Sequence, residues 1–333
     1  MKFKQIISAA VCFMAVLNVS GQSYSQLSGY TFEKGNKYVG TLIGKEGPVK
    51  LIGAGSEKFR LKGYKLYVNT KALNDKWRDV MIADNENHID TFRIVRNDFL
   101  KNPVVAHRGA WKNTGETENS IGSLKKAIEL GCSGSETDVH LSGDSVIYIH
   151  HDPKLQGVAI EQTTSAELSK LKLSNGEQLP TLEAYLQEVM TQNKTKLVLE
   201  IKASIVSKER SLALTKKVLN MVHEQKAQAW ITYISFDWDV CKLIRQLQPY
   251  ANVEYLNGDK SVGELSENKM NGLDYHYSVL KKNEAIFKEA GEKNIDVNVW
   301  TVNDEADMDW LLKNKADFIT TNEPEILLKK LAK

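Results

Sequence analysis

His107-Arg108, Glu136-x-Asp138 and Glu200-x-Lys202 are three short groups whose residue types suit chemistry on a charged oxygen. Glu136 and Asp138 lie two positions apart, so on a strand both carboxylates point to one face, and Glu200 and Lys202 repeat that spacing in KLVLEIK. A fourth group, His150-His151-Asp152, closes the run SVIYIHHD, and Trp300 closes DVNVW. Three carboxylates in one dry mouth repel one another unless a cation joins them, and hard oxygen ligands suit Ca²⁺ or Mg²⁺. Arg108 and Lys202 offer donors to a tetrahedral oxyanion, the arginine as a bidentate fork. Two imidazoles supply one base and one acid near neutral pH. Together these parts suit phosphoryl transfer, in which a metal polarises a phosphoryl oxygen and histidines move protons at the attacking and leaving oxygens. Singly, each has a plainer reading. A strand-end histidine is commonly structural, Glu-x-Asp can cap a helix or pair with surface lysines, and a lone lysine is usually solvated. The combination favours a site, because charged side chains rarely occupy an inner strand face without partners.

These residues need a scaffold, and from residue 104 apolar strands alternate with helical segments. Strands are expected near 104–106, 135–140, 196–202, 230–235, 252–256, 271–275, 295–301 and 317–320. Helices are expected near 120–131, 181–192, 207–225, 237–247, 279–291, 304–313 and 323–332, with a poorer one near 261–268. A hairpin strand, SVIYIH, follows the second strand. Eight strands each followed by a helix predict an α/β fold of the TIM (β/α)8 type, with its site at the C-terminal strand ends, where the groups above fall. A doubly wound open sheet is the alternative. The absence of Gly-x-Gly-x-x-Gly after the first strand weighs against it.

Ahead of the barrel the rhythm differs. Short alternating runs such as KYVGTLIG, EKFRLKG, YKLYVNT and HIDTFRIVRN, separated by Gly, Asn and Asp, predict a small all-β, sandwich-like module of six or so strands over 22–100. KFRLKGYKLYVNTKAL followed by DTFRIVRND resembles the second half of a cadherin-like sandwich. At the start, Lys2 and Lys4 precede an apolar run from Ile6 to Leu17, and small residues follow at Ser20-Gly21. This pattern predicts a signal peptide over 1–21, with Gln22 opening the mature chain, exported to the periplasm or secreted. An uncleaved anchor is the alternative, but the run is shorter than the ~20 residues a spanning helix needs. Cys12 sits mid-run, the wrong place for lipidation. The net charge of +2 loses Lys2 and Lys4 and no acid on cleavage, which leaves 0. That gives no broad electrostatic case for binding nucleic acid or an anionic membrane, and no stable membrane insertion is expected after cleavage. Cys132 and Cys241 then remain, expected as two buried free thiols.

The run AHRGAWKNTGETENSIGSLKKAIELGCSGSETDVHLSGDSVIYIHHDP resembles the glycerophosphodiester phosphodiesterases. Their pattern of His-Arg-Gly, Glu-Asn-Thr, Glu-x-Asp-Val, Thr-x-Asp and His-Asp stands here as His107-Arg108-Gly109, Glu118-Asn119-Ser120, Glu136-Thr137-Asp138-Val139, Ser142-Gly143-Asp144 and His151-Asp152. LPTLEAYL, LEIK, VWTVND and DFITTNEPE follow in the same order, so the resemblance covers roughly 103–332 and the barrel domain is set at 101–333. It implies a metal-dependent TIM-barrel hydrolase. By that resemblance His107 and His151 are the acid–base pair, and Glu136, Asp138 and Glu200 hold one divalent cation. Arg108 and Lys202 contact the phosphate, Trp300 lines the substrate pocket, and Glu118 and Asn119 support the site. Departures are Ser at 120 and 142 for Thr, an additional His150 expected to turn away from the site, and Thr321-Asn322 where Thr-Asp is common. The segment from Asp152 to Pro180 is short, with no inserted domain expected and a relatively open mouth.

The reading is a metal-dependent phosphodiesterase that hydrolyses small glycerophosphodiesters to sn-glycerol 3-phosphate and an alcohol. A phospholipase acting on intact or lyso-phospholipids is the first alternative. It would need an apolar rim, and no conspicuous apolar loop announces one. A surface binding protein with a scaffold barrel is the second, opposed by the presence of every motif residue. Oligomeric state and the role of the β module are not legible.

Overall fold

The computed structural model describes residues 24–33, 35–69 and 75–332. The segment expected as a signal peptide, residues 1–21, lies outside the described residues. Eight parallel strands close into a barrel: β1 Val104–Ala106, β2 Gly134–Leu141, β3 Lys196–Ile201, β4 Ile231–Ser235, β5 Asn252–Tyr255, β6 Gly272–His276, β7 Asp296–Trp300 and β8 Phe318–Thr321. β8 pairs with β1, and β1 pairs with β2, which completes the ring. The doubly wound alternative is thereby excluded.

Period-two alternation explains the closure. Outward residues such as Leu197, Leu199, Val253, Leu273 and Val299 pack in the main core. Inward residues Val105, Val198, Ile234 and Leu256 form a small apolar plug. Each such fully buried aliphatic side chain contributes about 1.5–3 kcal/mol relative to exposure. The first helix, Ile121–Leu130, starts at Ser120, whose hydroxyl accepts from Ser123 N, and stops at Gly131 with φ 82°. That cap fixes the loop carrying Glu118 and Asn119.

Three differences from expectation are physical. The helix expected over 279–291 is two, Tyr277–Lys282 and Ala285–Lys293, because Asn283 leaves helical geometry at φ −146°, ψ 84°. The short segment after Asp152 carries a small hairpin and a helical turn, and its Ile160, Leu168, Leu173 and Leu179 pack with Tyr148 in a small core of their own. Among the described residues the N-terminal module has eight short strands, against six or so expected, in two four-stranded sheets. One sheet orders Gln26–Leu27, Tyr38–Ile43, Lys65–Val68 and Phe59–Lys62, and the other orders Thr31–Phe32, Ile89–Arg96, Trp77–Ala83 and Lys50–Ile52. Both contribute to one core that includes Leu27, Leu42, Leu66, Ile82, Phe92 and Ile94.

The module docks on the end of the barrel opposite the C-terminal strand ends. Tyr24 stacks on His223 at 3.5 Å between ring centroids, Gln26 Nε2 donates to Leu247 O at 2.6 Å, and Lys226 pairs with Asp79 at 2.7 Å. Trp77 and Phe99 pack edge-on against Trp230, which directly precedes β4. Cys132 and Cys241 are buried free thiols. No helix among the described residues is long and apolar enough to cross a membrane.

Candidate active site

The end of β1 makes a sharp corner. Arg108 and Gly109 both take positive φ, 56° and 81°. A Cβ on Gly109 would come within 2.3 Å of Ser123 Oγ, so only glycine fits. The turn aims Arg108 N at Glu136 Oε2 (2.9 Å) and Arg108 Nη1 at Glu118 Oε2 (2.9 Å). Asn119, with φ 59°, donates Nδ2 to Asp138 Oδ2 at 2.9 Å while accepting from Thr137 Oγ1 at 2.7 Å. Glu118 and Asn119 therefore brace Arg108 and Asp138.

Glu136, Asp138 and Glu200 bring carboxylate oxygens within 4.8 Å of one another, and all three are buried. Burial, with the charges of Asp138 and Glu200, pushes Glu136 well above the usual carboxylate range. Burial and then Asp138 push Glu200 up to about 8. Asp138 is the exception: burial opposes its charge, but Lys202, His151, Asn119 and Arg108 prevail and hold it at about 2. Lys202 lies just past β3 and reaches Asp138 Oδ1 (3.2 Å) and Glu200 Oε1 (3.0 Å). Three converging oxygen donors that resist sharing negative charge fit a hard divalent cation, which would take the place of the protons that Glu136 and Glu200 otherwise hold.

The two histidines have different surroundings. His107 Nδ1 donates to Asn322 Oδ1 at 2.8 Å, which leaves Nε2, 3.9 Å from Glu136 Oε2, with the lone pair. Burial first, then Arg108, lowers its pKa to about 4. His151 Nδ1 meets the Asp152 carboxylate at 2.8 Å. Burial lowers its pKa too, while Asp138 works in the opposite direction. The neighbouring His150 turns its ring to Asp152 O at 2.8 Å and does not line the cavity.

His107, Arg108, Glu136, His151, Glu200, Lys202 and Trp300 share one cavity of about 120 Å³, and Asp138 lies directly behind it. Trp300 donates Nε1 to Asp274 O at 2.8 Å and meets Phe236 edge-on at 5.5 Å. Sequence reasoning gave four participants no role. Asn322 orients His107, Asp152 orients His151, and Asp274 and Phe236 line the cavity. It also missed His140, whose Nε2 lies 3.1 Å from His151 O and whose Nδ1 faces Glu161 at 3.8 Å. Asp152 and Asn322 had stood in the family pattern without a role, and of the others Asp274 left a signal, a carboxylate in the period-two run GLDYH.

A profile described as the glycerophosphoryl diester phosphodiesterase family matches residues 107–326. The chain belongs to that family. A crystal structure of a glycerophosphodiester phosphodiesterase from Parabacteroides distasonis is 42% identical, with a TM-score of 0.68 over 70% of this chain and 98% of that one. The glycerophosphodiester phosphodiesterase of Caldanaerobacter subterraneus is 25% identical over 244 residues, 69% of this chain and 97% of its own length. An Oleispira antarctica phosphodiesterase, solved with the product sn-glycerol-3-phosphate, shares the fold at 24% identity and a TM-score of 0.58, over 70% of this chain and 97% of that one. This glycerophosphodiester phosphodiesterase domain is thus an enzyme of the phosphoric diester hydrolase class, and the β module lies outside the matched residues.

Proposed function

We propose that the enzyme cleaves glycerophosphodiesters to sn-glycerol 3-phosphate and an alcohol. The observation that carries this is the buried triad Glu136–Asp138–Glu200, set beside two histidines and two cations in one cavity. The triad would hold one divalent cation, Ca²⁺ or Mg²⁺, which when bound polarises a phosphoryl oxygen. Arg108 and Lys202 contact the remaining phosphate oxygens. Nε2 of His107, neutral because of burial and Arg108, takes the proton of the attacking hydroxyl, from water or the glycerol itself. His151 in its protonated form, which Asp138 and Asp152 favour against burial, gives its own proton to the leaving oxygen as the bond to phosphorus breaks, and it is reprotonated from solvent while His107 releases the proton it took.

Glycerol 3-phosphate release from glycerophosphocholine, measured after chelation and then with Ca²⁺ or Mg²⁺ restored, is the test. Metal-restored release is expected, and His107→Ala or His151→Ala should each lower kcat by about 10²–10⁴-fold. A variant that keeps near-wild-type kcat removes that histidine from the mechanism.

A second reading, cleavage of lyso-phospholipids, has one observation in its favour. Ile205 and Val206 after β3 are 58% and 53% exposed, and Phe236 after β4 is 38% exposed. These apolar loops were not evident from the sequence. Comparable kcat/KM on lysophosphatidylcholine and glycerophosphocholine would establish it. Export rests on the N-terminal pattern of Lys2, Lys4 and the following apolar run, and is checked by sequencing the mature chain, with Gln22 expected first.

A further inference from the structure

Asp274 is a polar group of the cavity that no step above uses. It lies on β6, and its neighbours Leu273 and Tyr275 pack outward in the main core, so its side chain faces the lumen. It is 1% exposed, it lines the same cavity, and its Oδ1 has no hydrogen-bond partner. The register neighbour Asn298 is already engaged: Nδ2 donates to Glu254 at 3.3 Å and Oδ1 accepts from Thr320 at 3.1 Å. The main-chain oxygen of Asp274 accepts from Trp300 Nε1, which fixes the indole beside the carboxyl. A buried carboxyl with an unsatisfied oxygen costs stability, and such groups persist where a partner arrives with the ligand. Burial pushes Asp274 up to about 8, so near neutral pH it donates as well as accepts.

Position says which part of the substrate arrives there. In the eight-strand ring β6 stands across from β2, which carries Glu136 and Asp138. A phosphate held by Arg108 and Lys202 sends one substituent across the cavity and the other out of the mouth. The alcohol varies among glycerophosphodiesters and needs the open side, so the constant glycerol goes inward. There Ile234, Leu256 and Trp300 border the carboxyl and offer apolar surface to a three-carbon chain.

We propose that Asp274 hydrogen-bonds the terminal hydroxyl of the substrate's glycerol and thereby selects deacylated glycerophosphodiesters; this rests on the glycerophosphodiester reading above. Acylation of that hydroxyl removes its proton and adds a chain on the inner side, where the packed side chains of Val105, Val198, Ile234 and Leu256 leave it no path.

The test is calorimetric titration of the metal-loaded enzyme with glycerol 3-phosphate and with 2-hydroxypropyl phosphate, which lacks only the terminal hydroxyl. Wild type should prefer glycerol 3-phosphate by about ten- to hundredfold. Asp274→Leu should bring the preference close to one, and Asp274→Asn should leave an intermediate value. Asp274→Leu should also match or exceed the wild-type Tm, the opposite of what loss of a structural carboxyl gives. No wild-type preference, or a preference intact in both variants, overturns the inference. Glycerophosphocholine turnover measured alongside separates the two claims. Turnover without an Asp274-dependent preference defeats only the subsite. An Asp274-dependent preference without turnover supports the subsite and defeats the reaction.

Discussion

His107 is poised by what it touches. A carboxamide at Asn322 accepts its Nδ1 proton without adding charge, and the pull of that bond toward the imidazolium is weaker than burial and Arg108, which oppose it. As a base, His107 works only when neutral, and activity falls as pH drops through its pKa, here depressed to about 4. Asn322→Asp would favour the imidazolium and move the acid limb of kcat/KM upward in pH. Asn322→Ala would free the ring and lower kcat by about 10–100-fold, read by steady-state kinetics. The triad gives a second pH effect. Glu200 holds its proton up to about 8 when folded and loses it near 4.5 otherwise, so the folded state binds more protons between those values. Without metal, the Glu200 contribution to stability is therefore fully present below that window and declines as pH rises through it, while saturating Ca²⁺ or Mg²⁺ should remove the decline. Thermal unfolding from about pH 5 to 8.5, with and without chelator, checks this. The pairs Glu136–Asp138 and Glu200–Lys202 could be read from spacing, whereas the roles of His107 and His151 came from the family resemblance. Asn322 was visible only as a departure from a pattern, because its partner lies 215 positions away.

At the scale of elements, the corner after β1 is the part least open to substitution. Gly109→Ala meets both a positive φ and Ser123 atoms at 2.3–2.7 Å. It should cost about 2 kcal/mol or more of stability and displace Arg108 N from Glu136, visible as a lower Tm and a lower kcat/KM together. The eight barrel strands could be read because each is an apolar run bounded by polar residues. The helix break at Asn283 could not, since asparagine is tolerated within helices and the decision rests on packing. The module's two-residue strands, Gln26–Leu27 and Thr31–Phe32, are too short to carry a period. The small core after Asp152 hid for a related reason: its residues are scattered along a polar stretch.

Across the whole molecule, the β module and the catalytic mouth occupy opposite ends of the barrel. Trp77 and Phe99 cover Trp230 at the docking end, far from Glu136 and His107. Trp77→Ala should lower unfolding free energy by about 2 kcal/mol while leaving kcat on glycerophosphocholine near wild type, measured by denaturant titration and kinetics. A coupled loss of kcat would show that the module shapes the mouth.

The docking of Tyr24 against His223 has a directional consequence. Whatever precedes Tyr24 joins the molecule at the closed end of the barrel. Any tether at that terminus would therefore turn the mouth away from the surface holding it, toward solution. An enzyme held this way would meet diffusing water-soluble diesters head-on.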